Sequence, residues 1–263
     1  MKIARVATPV GPRAGIVDGD VIRPPTAAEL LPPLPGLEQV LEAPVSLTTA
    51  RLLAPVIPGK VCCIGRNYAA HAAELGNAVP SRPLLFHKPA SAVIGPGDTI
   101  LLPPDSERVE HEAELAVVIG RRCRHVQKEH WATAVAGFTA LNDVTARDLQ
   151  RADKQFARGK GFDTFCPVGP WIETDLDPTS LKIACRVDGD TRQSGTTSDM
   201  IFDVPTLIAA VSRIMTLEPG DLIATGTPDG VSLLRAGETV EVSIEGIGTL
   251  SNPVQTDDDV PPG

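Results

Sequence analysis

From Gly59 onward, the chain alternates short apolar segments with turns rich in glycine, proline and aspartate. The apolar segments read VCCIG, PLLFHKP, DTILLP, EAELAVVIG, GFTALND, LKIACRV, DLIATG and TVEVSIEGIGTL. Apolar runs of about four to eight residues that end at turn-forming residues are typical of β-strands. The pattern therefore predicts a β-rich main domain over residues 58–254, with few helices.

The segment before this domain has a different composition. Residues 1–57 contain two short strand-like pieces, KIARVAT and AGIVDG, and then the proline-rich run RPPTAAELLPPLPGLEQVLEAP, which can hold only short helices. We interpret residues 1–57 as a small N-terminal β-containing domain, and residues 255–263 as an acidic tail that frays. The predicted fold class is β-rich α+β.

Two segments have the periodicity and end signals of helices. In DVPTLIAAVSRIM, Asp203 is a predicted N-cap and Pro205 lies in the first turn, with apolar residues at helical spacing after it. In NYAAHAAELG, the alanines favour a helix and Gly76 ends it. These are the clearest of the few predicted helices.

The formal net charge of -9 argues against nucleic acid as a partner, because an acidic protein repels a phosphate backbone. No run rich in lysine or arginine offsets this charge. An anionic small substrate is still compatible with it, since a metal ion or a few local cations can reverse the field inside one cleft.

Neither a membrane span nor a signal peptide is predicted. The stretch LIAAVSRIM is too short to cross a bilayer and is interrupted by Ser212 and Arg213, while MKIARVATPVGPRAGIVDGD lacks an unbroken apolar stretch. The five cysteines are odd in number and show no CxxC spacing, as expected of reduced thiols. We therefore expect a cytoplasmic protein with no membrane partner and no structural zinc.

Two glutamates alternate at the start of the segment EAELAVVIG. Alternate side chains of a strand share a face, so Glu112 and Glu114 are expected to project side by side. Like charges this close disfavour each other unless a cation lies between them, and oxygen ligands suit Mg²⁺, Mn²⁺ or Ca²⁺. The alternative is a solvated strand face.

A third carboxylate follows the apolar segment GFTALND. Asp143 stands where this predicted strand ends, a position from which it could join Glu112 and Glu114. It could instead cap the turn that follows, at Thr145 and Ala146. Spacing along one chain does not show which side chains converge, so both alternatives stay open.

The blocks GRNYAAHAAELG, LLFHKP, VEHEAELAVVIG, LNDVTARDLQ, GKGFDTFCPVGP, TSDMIF, LEPGDLIATGTPDGV and VEVSIEGIGTLSNPV closely resemble the fumarylacetoacetate hydrolase family and follow its order. The resemblance runs from about Gly59 to Val254. It implies a mixed β-sandwich or roll core. It also implies that the protein is similar to bacterial members of the family, which include acylpyruvate hydrolases, oxaloacetate decarboxylases and 2-hydroxyhepta-2,4-diene-1,7-dioate isomerases. It also implies a homodimer that pairs through the main domain.

The resemblance further implies a divalent cation, usually Mg²⁺ with Mn²⁺ as the alternative. Its ligands would be the two alternating glutamates and the aspartate after the next strand, which are Glu112, Glu114 and Asp143. A lysine near the cation matches Lys160 in RGKGFDTFCPVGP. We take these four residues as the predicted chemical centre of the protein.

The same resemblance implies a lid helix and a set of substrate contacts. His71 and Glu74 match a catalytic pair on the lid, and three residues apart on a helix they share a face and can form a hydrogen bond. Without the resemblance, they would be an incidental pair on a solvated helix. Arg147 and Gln150 match substrate-binding positions, and Thr227 matches the turn that closes over the ligand.

The remaining histidines are assigned structural roles; they are His87, His111, His125 and His130. For Lys88 two alternatives remain, since the step KP either helps shape the pocket or only fixes the end of a strand.

The implied function is cleavage of a C–C bond in a small 2-oxo or enolisable 2-hydroxydienoic acid, by hydrolysis or decarboxylation, through an enolate that the metal stabilises. The alternative is an isomerase of the 2-hydroxyhepta-2,4-diene-1,7-dioate type in aromatic catabolism. Two readings of another class are a catalytically silent metal-binding relative and an assembly subunit. The absence of a long exposed apolar stripe argues against the assembly subunit. The fold alone does not decide among these activities.

Overall fold

The structure is a computed structural model that describes residues 1–29 and 31–257. Of the predicted acidic tail, residues 258–263 lie outside the described residues. Gln255 and Thr256 belong to the last strand and pair with Leu101 and Leu102, so the prediction that the tail frays is wrong for these two residues. Within the described ranges, strands form three sheets of twelve, five and two strands, and the helices are short. The predicted β-rich α+β class is therefore confirmed.

In chain order the strands are β1 (Lys2–Val6), β2 (Arg13–Asp18), β3 (Val21–Arg23), β4 (Val45–Ser46), β5 (Leu52–Leu53), β6 (Val61–Gly65), β7 (Leu84–Lys88), β8 (Val93–Ile94), β9 (Ile100–Leu102), β10 (Val109–Glu110), β11 (Ala113–Ile119), β12 (Val135–Asn142), β13 (Thr145–Ala146), β14 (Cys166–Glu173), β15 (Lys182–Val187), β16 (Asp190–Thr196), β17 (Leu222–Ala224), β18 (Thr239–Ile244) and β19 (Gly248–Thr256). The α-helices are α1 (Ala69–Glu74), α2 (Arg147–Asp153), α3 (Ala157–Lys160) and α4 (Val204–Ile214). Short 3-10 helices span Ala90–Ala92, Lys128–Ala134 and Thr197–Asp199.

The largest sheet has the order β4, β3, β2, β1, β14, β12, β11, β17, β6, β7, with β5 added beside β1 and β8 beside β14. The five-stranded sheet has the order β16, β15, β18, β19, β9, and β10 pairs with β13. This order places β11 and β12, which adjoin the predicted carboxylates, in the interior of the largest sheet.

The main core lies between the two larger sheets, and β11 shows how it is built. Its Leu115 packs in a cluster that includes Ile183 of β15 and Val242 of β18. Ala116 and Val118 belong to a second cluster, because successive side chains of a strand point to opposite faces. Both faces of β11 are therefore buried, which explains why its sequence is almost continuously apolar.

The N-terminal segment continues the largest sheet. Strand β1 pairs antiparallel with β14, with Ile3 opposite Ile172. Ile3, Leu34 and Val56 also join the second cluster, so they pack against strands of the main domain. The boundary at residue 57 stays a prediction, since the strands on its two sides share a sheet.

Both predicted helices are present, and one is shorter than its sequence pattern. The Asp203 carboxylate accepts a hydrogen bond from the Thr206 backbone N–H at 3.0 Å, which confirms the predicted N-cap of α4. Helix α1 begins only at Ala69, because Tyr68 is extended and forms a β-bridge with Met200. Gly76 follows α1 at a φ of 67°, where a glycine meets no steric cost.

Candidate active site

The three predicted carboxylates meet at one end of the β11–β12 pair. Glu112 precedes β11, Glu114 lies within it, and Asp143 follows β12. Ala113 is opposite Asn142, and the Asp143 N–H donates to the Glu112 carbonyl at 2.9 Å. This pairing brings the start of β11 next to the end of β12. Ligand atoms of the three carboxylates lie within 4.8 Å of one another. We call these three residues the carboxylate centre.

Backbone and amide contacts hold two members of the carboxylate centre in place. The Asn142 side-chain oxygen accepts the Glu112 N–H at 3.0 Å. The Gly226 N–H donates to Glu114 Oε2 at 2.8 Å, which ties this glutamate to the turn after β17. Both glutamates are buried, so neither lies on a solvated strand face.

Two lysines bind the Asp143 carboxylate. Lys88 Nζ donates to Asp143 Oδ1 at 2.6 Å and to the Val144 carbonyl at 2.9 Å. Lys160 Nζ donates to Asp143 Oδ2 at 2.7 Å and to Glu112 Oε2 at 2.9 Å. The carboxylate of Asp143 therefore faces the cluster of charges and does not cap the turn at Thr145.

A guanidinium group supports the other side of Glu112. Arg147 Nη2 donates to Glu112 Oε1 at 2.5 Å, and its Nε donates to Glu110 Oε2 at 2.7 Å. Its Nη1 donates to Gln150 Oε1 at 2.7 Å. These contacts orient a carboxylate of the centre, so Arg147 acts at least partly as a support for Glu112.

The charges around the centre are matched unevenly. Burial raises the pKa of the Glu112 carboxyl, but the charges of Lys160 and Arg147 outweigh it, and that pKa lies well below its usual range. Burial, followed by the charges of Asp143 and Glu112, raises the pKa of Glu114 well above its usual range. Among the described residues, Glu114 has no ion-pair partner. A divalent cation would supply the missing positive charge, so this oxygen-only donor set fits Mg²⁺ or Mn²⁺.

The predicted lid pair has the predicted hydrogen-bond geometry. His71 Nδ1 lies 3.3 Å from Glu74 Oε2, and the His71 side chain is buried. The other oxygen of Glu74 accepts the Gly230 N–H at 3.1 Å. Helix α1 is therefore connected to the loop after β17 through the same glutamate that contacts the imidazole.

Thr227 lies in that loop and has two partners within the protein. Its hydroxyl donates to the Ala113 carbonyl at 2.8 Å and accepts from Gln193 Nε2 at 2.8 Å. Gln193 Oε1 in turn accepts the Ala113 N–H at 3.0 Å. The loop is thereby fixed to the first residue of β11, next to the two glutamates.

A cavity of about 370 Å³ opens onto this constellation. Seven of the nine predicted site residues line it: His71, Glu112, Glu114, Arg147, Gln150, Lys160 and Thr227. The other two contact lining residues, Asp143 through Lys160 and Glu74 through His71. The structure thus brings all nine residues to one place.

Sequence reasoning missed two supporting residues. Glu110, which binds Arg147, could have been found, because Glu110, Glu112 and Glu114 alternate in VEHEAE. Gln193 gave no signal, since its role depends on how β16 is placed beside β11. His111 is buried and both ring nitrogens bond to side chains, so its predicted structural role agrees with the packing.

Comparisons with known proteins bear on this cavity. A family model described as fumarylacetoacetate (FAA) hydrolase C-terminal matches residues 60–255. A model described as Rv2993c-like, N-terminal matches residues 1–55. Oxaloacetate tautomerase FAHD2A, mitochondrial, of Bos taurus is 45% identical over 239 residues, which is 86% of this chain and 73% of that protein.

Two solved structures are similar to this protein over nearly the whole length of the chain. A 5-carboxymethyl-2-hydroxymuconate delta-isomerase from Mycobacterium smegmatis is 44% identical with a TM-score of 0.87, covering 98% of this chain and 99% of that one. A maleylpyruvate hydrolase from Sphingobium sp. SYK-6, in complex with manganese(II) ion and pyruvate, is 36% identical with a TM-score of 0.79, covering 97% and 99%. Among the described residues of this protein, no helix has the length and apolar character to span a membrane.

Proposed function

Because the chain belongs to the fumarylacetoacetate hydrolase family, we propose that it is a divalent-metal-dependent enzyme acting on a small 2-oxo or enolisable 2-hydroxydienoic acid. The proposed reaction is cleavage of a C–C bond by hydrolysis or decarboxylation. One observation carries the proposal: three buried carboxylates converge within 4.8 Å, and two of them, Glu112 and Glu114, line a cavity that His71 also lines. A cation site and a proton-transfer group then share one small space.

The carboxylate centre would hold Mg²⁺ or Mn²⁺, with water completing the shell. When bound, the cation supplies positive charge that stabilises the negative charge developing on the substrate's oxygens. Lys160 and Arg147 keep the two oxygens of Glu112 in place. The manganese in the related maleylpyruvate hydrolase supports a divalent cation here.

His71 is the proposed proton carrier. Its Nδ1 is directed to Glu74, so Nε2 is the ring atom that takes or delivers the proton. In hydrolysis Nε2 takes a proton from the attacking water, and in decarboxylation it delivers one to the carbon left behind. Burial of the imidazole keeps bulk water from competing for this proton.

Gln150 and Thr227 are proposed to orient the substrate. The Gln150 oxygen accepts from Arg147, which leaves its amide N–H groups to donate to a substrate carboxylate. Thr227 lines the cavity, and its hydroxyl stays bonded to Ala113 and Gln193. Arg147 fixes the amide orientation of Gln150, so the pair acts together.

Isomerisation or tautomerisation is the second candidate. The relatives named as an oxaloacetate tautomerase and a hydroxymuconate isomerase, at 45% and 44% identity, favour it. These reactions move a proton between two atoms of the substrate, and His71 would serve for that transfer as well. Product analysis by NMR separates isomerisation from the two cleavage reactions. Isomerisation gives one product with the composition of the substrate, whereas hydrolysis adds water and gives two products, and decarboxylation releases CO₂.

The experiment that tests the proposal is a calorimetric titration with Mg²⁺ or Mn²⁺, followed by a panel of 2-oxo acids with oxalate as an enolate mimic. We expect oxalate and at least one 2-oxo acid to bind only when the metal is present. Chelator treatment should abolish turnover, and added metal should restore it. Tight metal binding without any 2-oxo acid binding would instead favour a catalytically silent metal-binding relative.

A matched pair of variants tests whether the carboxylate centre holds the cation. Glu112→Ala should lose the cation, whereas Glu129→Ala, at a glutamate outside the cavity, should keep both cation and turnover.

We also propose that the enzyme is a cytoplasmic homodimer. Light scattering that gives a mass near the 27.7 kDa of one chain at micromolar concentration would contradict the dimer.

A further inference from the structure

Three cations line the cavity without bonding to the carboxylate centre. They are Arg66, Arg151 and Lys154, which we call the basic rim. Within residues 1–29 and 31–257, none of the three side chains forms a hydrogen bond or an ion pair. The rim therefore presents positive charge to the cavity with no described protein partner.

The cations nearer the carboxylate centre behave differently. Lys88, Lys160 and Arg147 each donate to at least one buried carboxylate, at 2.5 to 2.9 Å. Their charge is used within the protein. Of the lysines and arginines that line the cavity in the described part of the chain, only those of the rim are left to attract a second anionic group of a ligand.

The position of Arg66 is fixed by its neighbours. It follows β6 with a φ of 58°, a left-handed backbone conformation that costs a non-glycine residue free energy and is concentrated at functional sites. The next residue, Asn67, is fully buried, and its amide donates to the Phe202 carbonyl at 3.0 Å and the Thr225 carbonyl at 2.7 Å. These bonds hold the turn, so Arg66 is kept at the cavity wall.

The cavity also has an apolar wall. Its members are Ile64, Leu75, Phe86 and Phe156, and the two phenylalanine rings meet edge to face with centroids 5.3 Å apart. Such a wall suits a short carbon chain, which gains little from polar partners. The cavity thus combines an acidic centre for a cation, an apolar wall and a basic rim.

We infer that Arg66, Arg151 and Lys154 bind a second carboxylate of the substrate and thereby select 2-oxo diacids over 2-oxo monoacids. The inference rests on the proposed function, which assigns the 2-oxo acid end of the substrate to the cation. A guanidinium fork binds a carboxylate through two parallel hydrogen bonds, and the ammonium of Lys154 adds a point charge. A monoacid leaves these cations without a partner.

The test is calorimetric binding in the presence of Mg²⁺, with probes that differ only at the far end. Oxaloacetate is compared with 2-oxobutanoate, and 2-oxoglutarate with 2-oxopentanoate, where a methyl group replaces the second carboxylate. Oxalate serves as a probe for the cation end alone. We expect at least one diacid to bind about tenfold more tightly than its matched monoacid.

Charge-removing variants then assign the preference to the rim. Arg66→Gln should weaken binding of that diacid about tenfold, and Arg151→Gln or Lys154→Gln about threefold each, with the monoacid and oxalate unchanged. The matched control is Arg158→Gln, which removes a positive charge nearby on α3, outside the cavity, where Arg158 pairs with Asp153. Arg151 and Lys154 are exposed, so their variants carry the test if Arg66→Gln does not fold.

The outcomes separate this inference from the proposed function. Oxalate binding with equal affinities for diacid and monoacid, or variants that weaken both acids equally, would overturn the role of the rim alone. If neither oxalate nor any of the four acids binds with Mg²⁺ present, the proposed function fails, and this inference fails with it.

Discussion

The two ends of the cavity use charge in opposite ways. At the carboxylate centre, buried cations and carboxylates bond to one another. Of the three carboxylates of the centre, Glu114 is the one that has no ion-pair partner among the described residues. At the basic rim, the cations face the cavity without described partners. The difference teaches that paired charges maintain the geometry of this site, whereas unpaired charges are available for ligands. Substitutions of paired charges should therefore lower stability, whereas substitutions of unpaired charges should change binding without that loss of stability.

The largest expected effect is on stability at the carboxylate centre. Asp143→Asn leaves Lys88 and Lys160 buried beside a neutral amide, so we expect the free energy of unfolding to fall by about 3 kcal/mol or more. Urea denaturation in the presence of a chelator measures this. Glu114→Gln is the matched variant, because Glu114 has no ion pair to lose, and it should change stability by less than about 1 kcal/mol.

Both of these variants should lose affinity for Mg²⁺, since each removes a proposed ligand. The distinction between them lies only in the metal-free protein. Equal losses of stability in Asp143→Asn and Glu114→Gln would break the argument that paired and unpaired carboxylates differ.

The next effect concerns the lid. His71→Ala should lower turnover about 100-fold or more, the usual scale for a general base, while metal affinity stays nearly unchanged. Steady-state rates and a metal titration on the same protein provide the two readouts. His130→Ala, at an exposed histidine, is the control. Full activity of His71→Ala on the best substrate would remove this histidine from the mechanism.

A smaller effect is expected at Glu74. Glu74→Gln keeps an oxygen for the Gly230 N–H but removes the negative charge beside the imidazole, so turnover should fall about tenfold. The readout is the rate at saturating substrate, with KM measured in parallel. A change in KM alone would instead indicate that Glu74 only fastens α1 to the loop.

The smallest effect lies away from both ends of the cavity. Asp203→Ala removes the N-cap of α4, and we expect a loss of about 1 kcal/mol in the free energy of unfolding. Turnover should remain at the level of the unchanged protein, because α4 does not line the cavity. Asp203→Asn, which keeps a capping oxygen, should recover most of the stability. A loss of turnover in Asp203→Ala at temperatures where it stays folded would show that the two regions are coupled.

Much of the fold could be predicted from local patterns. The apolar run in EAELAVVIG, which ends at a turn residue, indicated a strand, and the end signals of α4 were sufficient because caps act within one helical turn. Helix α1 is shorter than the segment NYAAHAAELG, because the bridge from Tyr68 to Met200 is a long-range contact that local helix propensity does not contain. The place of the N-terminal strands in the largest sheet could not be predicted for the same reason, since the pairing of β1 with β14 is also a long-range contact.

The candidate site was less accessible to local reasoning. Glu112 and Glu114 share a face by strand geometry, but the approach of Asp143 depends on the register of β11 against β12. Only the family resemblance pointed to Asp143, Lys160 and the lid pair together. The role of Lys88 stayed open for the same reason, since its bond to Asp143 crosses between distant strands. Contacts of this kind are properties of the assembled sheet.

The pairing of β1 with β14 has a consequence for the molecule's resistance to aggregation. An exposed strand edge is a template on which another chain can add a strand. By lying along β14, with Lys2 opposite Glu173 and Ile3 opposite Ile172, strand β1 occupies hydrogen-bonding groups on that edge. Removing residues 1–57 would uncover them beside the apolar second cluster. We therefore expect a chain that lacks residues 1–57 to self-associate more readily than the full chain.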